Sequence, residues 1–152
     1  MEGLIRKYTD KLAASGYAEA GAPLMGAVDA DLVWNRDDPN RPLFEEVFAG
    51  LNIQSLLYSR PAEPYRTAID YLAGEVVGGA IFPEDTATRT CFHDLPVAAA
   101  FGAGEVVAAL RRRKGVIVPG RGIATFGTVS PEQAYVTFCS VCFSAFVKFF
   151  VD

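Results

Sequence analysis

Residues 95–150 read LPVAAAFGAGEVVAALRRRKGVIVPGRGIATFGTVSPEQAYVTFCSVCFSAFVKFF, and this stretch decides the fold. Apolar residues at helical spacing alternate there with short apolar runs, and glycine and proline mark the boundaries between them. The pattern predicts a helix, two strands joined by a glycine turn, and a last helix: Ala103–Arg113, Gly115–Pro119, Ile123–Phe126 and a helix from Pro131. Such alternation of strands and helices is typical of a central sheet that helices cover.

The last helix begins with a capping pattern and is apolar on nearly every side. Ser130 suits the N-cap, Pro131 suits the first helical position, and Gln133 completes a capping box. Four polar residues interrupt the apolar run: Thr137, Ser140, Ser144 and Lys148. The run therefore falls short of the roughly 20 apolar residues that a membrane span requires. A helix of this kind is normally buried in a core or between subunits, so we expect a soluble homo-oligomer that does not bind a membrane.

Weaker patterns of apolar residues predict the helices and strands in the rest of the chain. Helices are predicted over residues 3–14, after Asn40 and from Pro61. The residues expected to face inward are Leu4, Ile5, Tyr8 and Leu12 on the first helix, Leu43, Phe44, Val47, Phe48 and Leu51 on the second, and Tyr65, Ala68, Ile69 and Leu72 on the third. Strands are predicted within 22–34, where Gly26 interrupts them, and over Ile53–Tyr58, Val76–Phe82 and Leu95–Ala98. Because no linker or repeat stands out, residues 1–152 are expected to form one domain.

Composition and charge narrow the class of protein. At 152 residues and 51% hydrophobic content, the chain suits one domain with a sizeable core. Its net charge of -4 argues against a nucleic-acid partner, because that role needs a basic surface to neutralise phosphates. The one basic run, residues 111–114, ends a predicted helix, where cations favourably oppose the helix dipole. Three cysteines and the absence of an N-terminal apolar signal segment favour a cytoplasmic location.

The same stretch, residues 95–150, carries a resemblance to a known family. Its features follow one another in a fixed order: a proline-led strand, a glycine turn, a helix, a basic pair before an apolar strand, a second turn and a helix opened by an acidic segment. These features fall at Pro96, Gly102, Arg113, Lys114, Val116–Val118, Gly122, Ile123 and Glu132–Ala134. The segment resembles the C-terminal part of the class II aldolase and adducin family, which includes L-fuculose-phosphate aldolase. The resemblance implies a three-layer α/β/α fold with a central, mainly antiparallel sheet, and a tetramer.

The resemblance also implies that a metal site has been lost. Aldolases of this family hold a divalent metal with a His-x-His pair at a strand end and a third histidine before the glycine of the late turn. The matching positions in this chain are Tyr58, Arg60 and Arg121. Arginine stays protonated and does not ligate metals, so we expect no catalytic metal there. The chain has one histidine, His93, which stands beside Asp94 and outside these positions.

A cationic pocket is the predicted replacement for the metal. Arg60 and Arg121 supply planar donors that suit a carboxylate or a phosphate, and Tyr58 adds a hydroxyl. The turn residues Gly120 and Gly122 complete the expected binding site for a small anionic molecule. The opposing interpretation is that an ion pair between an arginine and a glutamate fills the vacated site and nothing binds.

Two glutamates are candidates for a general base. The resemblance places the family's catalytic glutamate on the helix before the His-x-His strand, where Glu45 and Glu46 stand. Either could act on a carboxylated substrate, with arginine replacing the metal as the electrophile. This would make the protein a metal-independent lyase or isomerase. The plainer interpretation is that both glutamates are solvated on an amphipathic helix.

A separate zinc site is an alternative. Cys91, His93, Cys139 and Cys142 offer four ligands, enough for tetrahedral zinc. However, the last two cysteines lie in an apolar helix, where cysteine commonly behaves as a small hydrophobe. A redox pair would work best at a helix N-terminus. The glycine turn lacks the third glycine of a dinucleotide fingerprint, so we expect no cofactor.

Three functional hypotheses remain open. The first is a divergent class II aldolase-like protein that binds a small carboxylated or phosphorylated ligand through arginines, with or without catalysis. The second is a non-catalytic, adducin-like structural or assembly protein. The third is a metal-dependent aldolase or lyase that uses a site not recognised above.

Overall fold

The computed structural model describes residues 1–82 and 94–151. Within these ranges, five helices and seven strands follow one another along the chain. They are α1 (Glu2–Ala14), β1 (Leu24–Val28), β2 (Leu32–Trp34), α2 (Arg41–Gly50), β3 (Ser55–Ser59), α3 (Tyr65–Glu75), β4 (Ala80–Ile81), β5 (Leu95–Pro96), α4 (Ala103–Arg112), β6 (Gly115–Val118), β7 (Gly122–Gly127) and α5 (Pro131–Val151). The predicted elements from residue 95 onward therefore begin and end within one or two residues of the observed ones.

The central sheet has five strands in the order β2-β1-β3-β7-β6. Every neighbouring pair in it is antiparallel, which confirms the predicted mainly antiparallel sheet. A separate two-stranded ribbon, β4 with β5, attaches at the β6 edge through a bridge between Val97 and Ile117. Strand β3 lies in the middle of the sheet, so the segment from the middle of the chain is flanked by β1 and by β7.

Helices cover both faces of the sheet. Because side chains alternate along a strand, Leu56 and Tyr58 of β3 face one layer while Leu57 faces the other. On the face of Leu57 the core contains residues of α1, α3 and α5: Ile5, Leu12, Ile69, Leu72, Phe138 and Val141. On the face of Tyr58 it contains residues of α2 and α4: Phe44, Val47, Val106 and Leu110. The three-layer α/β/α arrangement is thereby confirmed.

Two residues predicted to mark the boundaries of elements, Gly26 and Pro61, do not mark them in the structure. Gly26 lies inside β1 rather than interrupting it, because the Trp34 ring packs over it and a Cβ atom there would lie 2.8 Å from that ring. Pro61 does not begin α3, since it forms a bridge with Ala18 and the helix begins at Tyr65. The carboxylate of Glu63 accepts a hydrogen bond from the backbone N–H of Thr67 at 2.8 Å and so satisfies a donor of the first turn.

Two further predictions from the first half of the chain are wrong in detail. Leu4 is 42% exposed, whereas Ile5, Tyr8 and Leu12 of the same helix are buried, so the inward face is narrower than predicted. The strand predicted over Val76–Phe82 is limited to Ala80–Ile81, because the chain first turns after α3.

The last helix packs across the sheet and against its neighbours α1 and α3. Its inner side is buried among the residues of the sheet, while Val136, Phe143 and Phe150 are exposed. The expectation that its apolar run is too short for a span is wrong, because by length and composition alone α5 could cross a membrane, a test that the core helix of a soluble protein also meets. The Gln133 side-chain carbonyl accepts hydrogen bonds from the backbone N–H groups of Val129 at 2.7 Å and Ser130 at 3.4 Å, and the bond from Ser130 is the glutamine half of the predicted capping box.

Candidate functional site

The end of β3 and the start of β7 meet at one edge of the sheet. In the antiparallel register Tyr58 pairs with Ala124 and Ser59 with Ile123, so the β6–β7 turn lies beside Arg60. The Tyr58 hydroxyl donates a hydrogen bond to the backbone carbonyl of Arg121 at 3.0 Å. Residues that are far apart in the sequence are thus joined at what we call the arginine edge, formed by Tyr58, Arg60 and the turn 119–122.

The turn approaches the end of β3 so closely that only glycine fits at position 122. The φ of Gly122 is 152°, a conformation that L side chains rarely adopt, and a Cβ atom there would lie 2.6 Å from the carbonyl oxygen of Ser59. Gly120 also has a positive φ, of 70°. The two predicted glycines therefore shape the turn that presents Arg121.

An aromatic stack supports the side chain of Arg121. The ring of Phe101 stacks on the ring of Tyr58, with centroids 5.6 Å apart and planes inclined by 18°. The guanidinium carbon of Arg121 lies 5.3 Å from the centroid of Phe101, within the range of a cation–π contact. Phe44 of α2 packs against Tyr58 from another side, at 4.8 Å between centroids. We call the set Tyr58, Phe101 and Arg121 the arginine–aromatic stack.

Phe101 was not among the predicted site residues. It follows a run of three alanines and precedes Gly102, so its large ring stands alone in a segment of small residues. That contrast is the one sequence signal that could have identified it. The prediction did not use the signal, because the partners of Phe101 come from distant segments.

Arg60 is exposed beside the same edge. Its guanidinium lies 3.8 Å from a carboxylate oxygen of Asp70 on α3, and the two side chains are 52% and 42% exposed. An ion pair this long and this open to solvent contributes little to folding. Arg60 therefore keeps most of its capacity to attract an anion.

The Tyr58 phenol is neutral at physiological pH. Burial raises the pKa of Tyr58, the positive charge of Arg121 opposes that rise, Asp38 adds to it and Arg60 opposes it. The side chain is therefore a hydrogen-bond donor, and its proton is directed at the Arg121 carbonyl rather than into open space.

Solved structures with the same architecture are known. L-fuculose-1-phosphate aldolase from Thermus thermophilus is 16% identical to this chain, superposes with a TM-score of 0.81, and is matched over 98% of this chain and 92% of its own. The YgbL protein of Escherichia coli is 13% identical, with a TM-score of 0.79 over 99% of this chain and 89% of its own. The chain has a class II aldolase-like fold.

A third solved structure agrees with this assignment. An aldolase II superfamily protein from Pseudomonas syringae is 13% identical, with a TM-score of 0.63 over 97% of this chain and 72% of its own. No family model matches the chain, and no curated protein matches it. At these identities the likeness establishes the class II aldolase-like fold alone, and it confirms the fold that the resemblance implied.

The donors at the arginine edge do not fit the divalent metal that a class II aldolase-like fold suggests. Two of the three matched side chains are guanidinium groups, which carry no free lone pair for a metal. The third, Tyr58, is a protonated phenol whose hydrogen bond goes to a backbone carbonyl. Among residues 1–82 and 94–151, no group of three or more His, Cys, Asp or Glu residues could hold a metal ion.

The two candidate glutamates lie away from Tyr58. Glu45 is exposed and stands 3.9 Å from Arg41 one turn earlier on α2, while Phe44 is the residue of that helix that packs on Tyr58. Glu46 is exposed as well. The structure therefore brings Tyr58 and Arg121 into contact, places Arg60 and the turn glycines beside them, and leaves both carboxylates on another part of α2.

The two cysteines of α5, Cys139 and Cys142, are protonated thiols, whereas a metal ligand must be a thiolate. Burial raises the pKa of Cys142 well above its ordinary value and also raises that of Cys139, so both thiols hold their protons at neutral pH. Both cysteines are free. Cys91 and His93, the other two ligands of the alternative zinc site, lie outside the described residues.

Proposed function

We propose that this protein binds a small carboxylated or phosphorylated molecule at the arginine edge, through Arg60 and Arg121 and without a divalent metal. The observation that carries the proposal is the position of the Arg121 guanidinium over the ring of Phe101, on a turn whose backbone Tyr58 fixes. An arginine held on an aromatic face has lost part of its freedom before a ligand arrives. Less order is then lost when it binds an anion.

The charge around the arginine edge supports an anionic ligand. No carboxylate of the described residues forms an ion pair with Arg121, and that of Asp70 lies at the long distance of 3.8 Å from Arg60. Asp38, the other acid that acts on Tyr58, is held by Arg36 at 2.7 Å. Two cations are therefore available at one edge, and their planar donors match the oxygens of a carboxylate or phosphate.

The same geometry favours binding over catalysis. A metal-independent lyase or isomerase would need Glu45 or Glu46 within hydrogen-bond reach of the substrate proton, whereas both are exposed and Glu45 lies 3.9 Å from Arg41. A metal-dependent aldolase or lyase would need a donor set other than the one at the arginine edge. L-fuculose-1-phosphate aldolase acts on a phosphorylated sugar, and we extend only the phosphate-bearing class of ligand to this protein.

Calorimetric titration with inorganic phosphate and with malate tests the proposal. Replacing Arg121 by methionine removes a charge-assisted contact, so affinity should fall by about tenfold or more. Arg112→Met is the matched control, because Arg112 is exposed at the end of α4, away from the arginine edge. The proposal fails if neither anion binds, or if both variants bind as tightly as the unaltered protein.

The exposed residues of α5 favour a second proposal, an oligomer with an assembly role. Phe143 and Phe150 are exposed large apolar side chains on one helix, and Phe150 is 71% exposed. Covering such residues with another subunit would remove apolar surface from water. We propose a cytoplasmic homo-oligomer, a tetramer by family resemblance. Light scattering that gave the mass of one chain would contradict it.

A further inference from the structure

A cavity lies at the opposite end of β7 from the arginine edge. It has a volume of about 390 Å³ and opens between the end of β7 and the first half of α5. Its lining includes Lys114, Phe126, Thr128, Gln133, Thr137 and Ser140. Cavities of ~300–1,000 Å³ are the size that holds small molecules, so the volume alone is adequate for one.

The wall of the cavity is held in place before any ligand binds. The Ser55 hydroxyl donates to the backbone carbonyl of Ser130 at 2.9 Å, which ties the loop after β7 to the start of β3. A Cβ atom at Gly127 would lie 2.3 Å from that same carbonyl oxygen, so the loop folds tightly over this glycine. The Gln133 side-chain carbonyl accepts a hydrogen bond from Val129 at 2.7 Å, which fixes the amide at one side of the cavity. A preformed wall of this kind lowers the ordering cost of binding.

Lys114 brings one positive charge to the lining of the cavity. No carboxylate of the described residues forms an ion pair with Lys114, which is exposed at the start of β6. Glu132 also lines the cavity, but it lies near Tyr8 of α1, where its charge adds to burial in raising the pKa of that tyrosine. A lining that carries one lysine and one carboxylate suits a ligand with a single negative charge and disfavours a dianion such as phosphate.

The neutral groups in the lining suit hydroxyls. The Gln133 side-chain carbonyl is occupied by the loop, so its two N–H donors remain for a ligand. Ser140 donates its hydroxyl to the backbone carbonyl of Val136 at 3.0 Å, which leaves its oxygen as an acceptor. Thr128 and Thr137 add two hydroxyls that can donate or accept, and the Phe126 ring offers an apolar surface.

We infer that this cavity binds a small monocarboxylate that carries several hydroxyl groups, with Lys114 on the carboxylate and with Gln133, Thr137 and Ser140 on the hydroxyls. The site is separate from the arginine edge and does not depend on the function proposed for it. Its ligand differs in charge and in shape, because the site has one lysine and a partly open cavity of about 390 Å³ instead of two exposed guanidinium groups.

Titration of the full chain with gluconate, followed by calorimetry, tests the inference. Gluconate should bind saturably, and Lys114→Met should weaken it at least about tenfold, whereas Arg112→Met should not. Thr137→Val keeps the side-chain shape, removes one hydroxyl, and should weaken gluconate roughly threefold. Propionate, which has the charge without the hydroxyls, and xylitol, which has the hydroxyls without the charge, should each bind more weakly than gluconate.

Three results would overturn the inference. They are the absence of gluconate binding, gluconate binding that Lys114→Met leaves unchanged, and inorganic phosphate competing for the cavity as well as gluconate does. Arg121→Met keeps the two sites distinguishable, because it should reduce phosphate binding at the arginine edge and leave intact the part of gluconate binding that Lys114→Met weakens. Circular dichroism of each variant confirms that the fold is retained.

Discussion

The two ends of β7 differ in what they present to a ligand. At its start, the arginine edge offers two exposed cations and an aromatic surface, with the tyrosine hydroxyl already used by the backbone. At its end, a cavity of about 390 Å³ offers one lysine and several neutral donors and acceptors. The first is rich in charge and exposed, and the second is a partly open cavity whose lining carries one lysine and one glutamate. The different ligand proposed for each end rests on the charge and the openness of that end, and the fold alone specifies neither.

Gly122→Ala should have the largest effect. The new Cβ atom would lie 2.6 Å from the Ser59 carbonyl oxygen at a backbone φ of 152°. We expect the free energy of unfolding to fall by about 3 kcal/mol or more, together with loss of phosphate binding. Urea denaturation measures the change. Gly104→Ala on α4, where a Cβ atom meets nothing within 4 Å, is the control and should be neutral or slightly stabilising.

Phe101→Leu should weaken phosphate binding at the start of β7 and leave gluconate binding at its end unchanged. Without its ring, Arg121 loses the surface on which it rests, so phosphate affinity should fall about threefold to tenfold. Phe126→Leu, at the cavity, is the matched change and should weaken gluconate without affecting phosphate. Calorimetry with both anions on both variants gives the comparison. Equal effects of the two variants on both anions would show that the ends are not independent.

Tyr58→Phe should cost about 1–2 kcal/mol of stability, because the Arg121 carbonyl loses its donor. It should also change the response to alkaline pH. Since burial raises the pKa of Tyr58 in the folded chain, the unfolded chain loses this proton first as pH rises past about 10, and stability falls. Unfolding measured between about pH 9 and about pH 11 should show a shallower fall in the variant. An identical fall in the free energy of unfolding would show that Tyr58 does not contribute to the loss of stability at alkaline pH.

Asp70→Asn should have the smallest effect. The pair with Arg60 spans 3.8 Å between half-exposed side chains, so stability should change by less than about 0.5 kcal/mol. Phosphate affinity should rise slightly, because a negative charge beside Arg60 is removed. A loss of stability above about 1 kcal/mol would mean that Arg60 is committed to a structural pair.

The fold could be predicted best where local signals were explicit. Pro131 and Gln133 mark the start of α5, and the glycines of the β6–β7 turn mark the ends of the strands beside them. The predicted bounds of these elements therefore lie close to the observed ones. Pro61 carried a similar signal but pairs with Ala18 instead of opening α3. Local chemistry is ambiguous there because a proline suits both a first helical turn and a loop.

The candidate site could be predicted only in part. Tyr58, Arg60 and Arg121 were linked by family resemblance, and the register of β3 with β7 brings their segments together. The ring of Phe101 and the cavity near Lys114 were missed, because each depends on segments that meet only after packing. Periodicity in a sequence indicates which face of an element is buried, but it does not indicate which distant side chain will lie against it.

The hydrogen bond from Tyr58 ends on the main chain of residue 121 and not on its side chain. The turn is therefore anchored whichever residue stands at that position, and the side chain can be exchanged without loosening the loop. Position 121 presents its side chain from a turn at the edge of the central sheet. A single substitution such as Arg121→His should therefore change the chemistry of the turn while the hydrogen bond from Tyr58 to its backbone is kept.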